Sequence, residues 1–150
     1  MYDELRSTIL NLDPADAGLE QSAELPDVWG VVLETGIENG SYTLVALADG
    51  TTSLYLSSGG GIIGGGEHER VKAATKRLVA AAQDELDAFP PDESQDVPAD
   101  GRTVIRLLTF GGPRMVEASE ADLGEGRHPQ SALFYKAQDV LTELRLISDG

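Results

Sequence analysis

The chain contains no cysteine, and it is poor in aromatic residues, with one tryptophan, four tyrosines and three phenylalanines. Without cysteine there are no disulfides, thiolate metal sites or cysteine nucleophiles, which fits a reducing compartment. No apolar run approaches the ~18 residues of a membrane helix. The opening residues, MYDELRSTIL, are acidic where a secretory signal is basic. The expectation is a cytoplasmic chain with no membrane partner. Positive charge is also scarce: 11 Lys and Arg stand against 26 Asp and Glu, for a formal net charge of -15. Such a field repels duplex nucleic acid and anionic lipid. Aromatics interleaved with basic residues, the pattern of a single-strand binder, are missing too. No nucleic-acid partner is expected, and the acidity needs no role beyond solubility.

What remains is ample for one domain: 150 residues, 41% of them apolar. The charge is polarised along the chain. Seven acids fall in residues 1–27 and seven more between Asp84 and Asp100. Between these groups Arg70, Lys72, Lys76 and Arg77 form the one dense basic cluster.

Leu5, Ile9 and Leu12 predict a short helix over 2–12, followed by polar sequence to residue 26. Strands are predicted over 27–36, 41–49 and 51–58, with turns at Glu38-Asn39-Gly40 and Asp49-Gly50. In the first strand Trp29, Val31 and Leu33 share one face, and Gly30, Val32 and Glu34 the other. In the second, Val45 and Leu47 oppose Leu44 and Ala46, so both faces are apolar and both need cover. Val71, Ala74, Thr75, Leu78, Ala82, Leu86 and Phe89 recur at helical spacing, and Pro90-Pro91 ends that helix. A polar loop over 90–101 precedes strands at 102–110 and 114–118. Residues 119–130 read as a surface loop. A last helix over 130–147 lines Leu133, Phe134, Ala137, Val140, Leu141, Leu144 and Ile147 along one face.

The fold class is therefore α+β: an antiparallel sheet of about five strands, built as a three-strand meander, a middle helix and a two-strand hairpin, with flanking helices. A three-layer form, with helices on both faces, is the rival. Residues 1–26 read as a helical, polar arm and 27–150 as one α+β domain. In architecture this element content resembles profilin-like and roadblock-like domains, with a strand count around the middle helix that departs from the roadblock order and no family motif.

One motif invites chemistry. Gly59-Gly60-Gly61-Ile62-Ile63-Gly64-Gly65-Gly66 joins a strand to a helix start, where glycine backbones and helix N–H groups can converge on an anion. Gly59, Gly60, Gly61, Gly64, Gly65 and Gly66, with His68, Arg70 and Lys72, are the candidate anion or nucleotide site. Against this, a phosphate loop places lysine and Ser or Thr directly after its glycines, and here Glu67-His68-Glu69 follow. The structural reading ranks first: the backbone reverses close under a helix, with Ile62 and Ile63 anchored in the core. A mobile or partner-binding loop ranks third. His68 and His128 would need a shared carboxylate to hold a metal, which nothing in their spacing asks for. His128 reads as a helix cap, Asp49 as a turn residue, and Glu34 either as exposed or as paired with Arg106 of a neighbouring strand. No G-x-S-x-G elbow surrounds Ser53, Ser57 or Ser58. No catalytic residue, metal or cofactor is assigned. The leading expectation is a non-catalytic structural or protein-interaction domain, with a second copy or another protein as partner and Arg70, Lys76 and Arg77 as contact candidates. An anion-binding module is the alternative, and an enzyme ranks third.

Overall fold

In the computed structural model, which describes residues 1–149 and so leaves Gly150 outside, the elements run α1 (Tyr2–Leu10), β1 (Val28–Ile37), β2 (Gly40–Leu47), β3 (Thr52–Leu56), β4 (Gly61–Ile62), α2 (Glu69–Asp84), β5 (Arg102–Thr109), β6 (Arg114–Ser119), α3 (Glu120–Gly124) and α4 (Ser131–Asp149). The strands form a single sheet in the order β4-β3-β2-β1-β5-β6, with every neighbouring pair antiparallel. The α+β class is as the periodicities imply. The sheet has six strands rather than five because Gly61 and Ile62, inside the glycine run, pair with Tyr55 and Leu54. Turn chemistry sets the meander. Asn39 is left-handed between β1 and β2, and the Asp49 carboxylate accepts from the Thr51 N–H at 2.9 Å.

Both sheet faces are covered, which explains why β1 and β2 are apolar at both parities. On one face Val31, Leu33, Leu44, Ala46, Ile105 and Leu107 meet the stripes of α2 and α4. On the other, Trp29, Val32, Val45, Leu47 and Leu108 lie under Ile9 of α1 and Leu19. The arrangement is thus the three-layer one, and part of the N-terminal arm is packed on the sheet.

Trp29 departs from its expected face. The β1–β5 register shifts between Val28 and Gly30. The extra residue of this bulge turns Trp29 toward Val32 and hands Val28 to the α2 side. Smaller differences follow from local geometry. A 3-10 turn over Leu86–Ala88 carries Phe89 into the core beyond the end of α2. The 119–130 segment contains the five-residue α3, started by Ser119 Oγ accepting from the Asp122 N–H.

The two sheet edges differ. Along β6, Met115 N donates to Pro90 O and Asp92 N to Pro113 O, both at 3.1 Å, so the segment after α2 seals that edge. At the opposite edge stands the two-residue β4.

Candidate functional site

The glycine run resolves into three pieces. Gly59 N donates to Leu56 O at 2.9 Å and Leu56 N to Gly60 O at 3.2 Å, closing a turn. Gly61 and Ile62 make β4. After a left-handed Gly64, a 3-10 turn over Gly65–Glu67 ties Glu67 N to Gly64 O at 3.2 Å and His68 N to Gly65 O at 3.1 Å. The N–H groups of residues 59, 67 and 68 are therefore bonded within the loop. Gly65 is buried beneath Leu144 of α4. Gly66 rests directly on the Gly50–Thr51 backbone, where any Cβ would overlap the Gly50 carbonyl. Ile62 packs against the main core. Ile63 does not join it: it lies in a bend just past the end of β4 and is 73% exposed.

The basic residues scatter. His68 is exposed at the start of α2, and Arg70 reaches across to Glu143 of α4 at 2.8 Å. The Lys72 stem lies along Gly50. With Gly64 and Gly66 it borders a hollow of about 270 Å³ that also receives Asp49 and Glu67. Gly59, Gly60, Gly61, Gly65, His68 and Arg70 do not line that hollow. Two carboxylates facing one lysine make it formally acidic. Lys76 and Arg77 are exposed on α2 and make no ion pair among the described residues. Nδ1 of His128 accepts from Gln130 N at 3.0 Å, at the start of α4. Among the described residues no group of three His, Asp or Glu side chains could hold a metal ion, and no helix is long and apolar enough to cross a membrane.

The densest ionic cluster is internal. Glu34 is fully buried. Its Oε2 accepts from Arg6 Nε at 2.5 Å and Thr43 Oγ1 at 2.7 Å, and its Oε1 from Arg6 Nη2 at 2.9 Å and Arg106 Nε at 3.0 Å. Thr43 gives its proton to Glu34, so Tyr2, 2.7 Å away, donates to Thr43. Both guanidiniums also donate to backbone carbonyls of the 90–101 loop, Arg6 to Gln95 and Arg106 to Ser94 and Asp96. Burial alone would lower the Arg6 pKa, but the Glu34 carboxylate outweighs it and the net displacement is upward. With both oxygens saturated and out of solvent, the cluster clamps α1, β1, β5 and this loop together. The Glu34–Arg106 pairing follows from strand adjacency. Arg6 was hidden because Tyr2, Arg6 and Ile9, rather than Leu5, turn toward the sheet.

Two apolar features flank the open edge. On the α1 side, Met1, Leu5, Tyr55 and Ile63 border a hollow of about 270 Å³. On the α4 side, Tyr42 stands at a slot between β3–β4 and α4. Burial is the main cause that pushes the Tyr42 hydroxyl above its ordinary value of about 10; the nearby Thr35 and Gln138 side chains act the other way. The fold holds the phenol proton more tightly than the unfolded chain does. That stabilisation is complete below about pH 10 and is lost as pH rises through the folded pKa. Tyr42→Phe is therefore expected to flatten the alkaline fall of melting temperature. An unchanged fall would assign it to other groups. Compared with protein-family models, with curated proteins and with solved structures, the chain matches none of them.

Proposed function

We propose that this domain works by binding protein, with a second copy of itself as partner, and not by catalysis. The observation that carries the reading is Ile63. It projects at 73% exposure from a glycine-flanked segment, beside a hollow bordered by Met1, Leu5 and Tyr55. A knob and a hole on one face are what a two-fold interface needs, since each copy supplies both. Met1, at 86% exposure, adds to the same uncovered apolar surface. Elsewhere two chains of net charge -15 repel each other, which limits close approach to an uncharged patch.

Ile63→Asp tests this. Burying an isoleucine contributes about 1.5–3 kcal/mol, and a two-fold contact buries two. The substitution is expected to weaken the dimer by roughly a hundredfold or more, read by size-exclusion chromatography with light scattering. The melting temperature of the monomer should stay unchanged. A variant that dimerises as well as the parent overturns the reading.

A second face is favoured by charge. Lys76 and Arg77 share the exposed side of α2 with Asp84, and Asp87 follows just beyond its end. Two copies of α2 packed antiparallel about Ala80 would set Lys76 against Asp84. Such a dimer weakens with salt, whereas one held at Ile63 tightens as mutual repulsion is screened. Lys76→Glu and Asp84→Lys would each break the α2 dimer, and the double variant would restore it.

A further inference from the structure

We propose that the slot between the β3–β4 edge and α4 binds a small, elongated apolar acid that carries a second, neutral oxygen at its inner end. This site lies on the opposite side of the open edge from the Ile63 hollow and does not depend on self-association. Its volume is about 550 Å³, within the range of small-molecule clefts. Leu54, Ile62 and Leu141 supply apolar walls, and Tyr42, Gln138 and Arg145 the polar groups.

The key observation is Gln138. The residue is half-buried, and its Nε2 is itself shielded from solvent with no partner in good hydrogen-bond geometry, only a loose approach to the Tyr42 hydroxyl, although buried donors are almost always well paired. The hydroxyl of Tyr42 stands nearby, its proton held more firmly than in a free tyrosine. Two neutral donors with no cation beside them suit a carbonyl, ether or hydroxyl oxygen, because a carboxylate taken that deep would lose its hydration uncompensated. Gln138, Leu141 and Arg145 follow one another at three- and four-residue steps, so one helix face presents all three. Seven residues of helix separate Gln138 from Arg145, about 10 Å along the axis. Arg145 is exposed at the outer end of the slot. A carboxylate there meets a guanidinium while keeping part of its water. The ligand's chain would lie over Leu141, facing Leu54 and Ile62. A plain fatty acid with its tail inward would leave Gln138 unpaired, so the inner oxygen is the distinguishing feature of the ligand class.

Three probes of one length separate the contributions: 8-hydroxyoctanoate, octanoate and 1,8-octanediol, titrated into the full chain by calorimetry. The hydroxyacid is expected to bind about tenfold more tightly than either of the others, since each loses one polar contact. Gln138→Leu should sharply reduce the preference for the hydroxyacid over octanoate, with Tyr42 left as the one inner donor, and leave octanoate binding intact. Gln138→Met serves the same purpose if the leucine variant melts early. Arg145→Gln, at an exposed position, should abolish the preference for the acids over the diol. Absence of binding by all three probes overturns the proposal. So does equal affinity for octanoate and hydroxyoctanoate, or binding indifferent to both substitutions.

Discussion

Glu34→Gln is expected to remove about 3–5 kcal/mol of folding stability, the cost of breaking a buried ion pair from one side. The amide keeps the shape of the carboxylate and removes its charge. Arg6 and Arg106 would then stand buried against loop carbonyls, the Met115 sulfur and a neutral amide, with no anion hydrogen-bonded to them. The loss is large because the cluster already carries one more positive than negative charge, and Glu34 is its only anion among the hydrogen-bonded groups. It is also mechanically central. Glu34 sits on β1, Arg106 on the neighbouring β5 and Arg6 on α1, so α1 and residues 94–96 should loosen with it. Urea unfolding measures the effect as a fall in midpoint at unchanged slope. The triple variant Arg6→Met, Glu34→Leu, Arg106→Met removes charge and partners together and should recover much of the loss. A change below about 1 kcal/mol for Glu34→Gln would mean that the pair is solvated and contributes as a surface bridge does.

Gly66→Ala is expected to cost about 3 kcal/mol, the upper end for overpacking. Its Cβ would overlap the Gly50 carbonyl and come within 3.2 Å of Thr51 Cα. Both are backbone atoms, held by the Asp49–Thr51 hydrogen bond above and by the buried Thr52–Thr75 contact beside them. Nothing there can rotate aside. Gly59→Ala is the control. Its Cβ would meet nothing within 4 Å, and only the left-handed backbone resists it, for about 1–2 kcal/mol. Gly65→Val should destabilise too, although its first obstacle is the end of the Leu144 side chain, which can turn. Equal melting temperatures for the Gly66 and Gly59 variants would show that close approach is not why glycine occupies position 66.

The helices were legible because each buries one stripe: every apolar residue assigned to the inner faces of α2 and α4 lies in or against the main core. The meander was legible from Asn39-Gly40 and Asp49-Gly50, whose turn geometry is local. β4 was not, because two residues within a glycine run have no periodicity to read. The Trp29 face was not, because a bulge depends on how β1 registers against β5, more than 70 positions away. At the candidate sites, the sequence marked the glycine segment but placed Ile63 inside. The shielded amide of Gln138 and the burial of Arg6 arise only when α4 and α1 dock on the sheet.

Native mass spectrometry of the intact chain at low and high ionic strength tests the central claim most directly. It reads subunit count and any retained small molecule in one spectrum. The account predicts a dimer whose share grows with salt and disappears in Ile63→Asp. A chain that stays monomeric at both ionic strengths contradicts it.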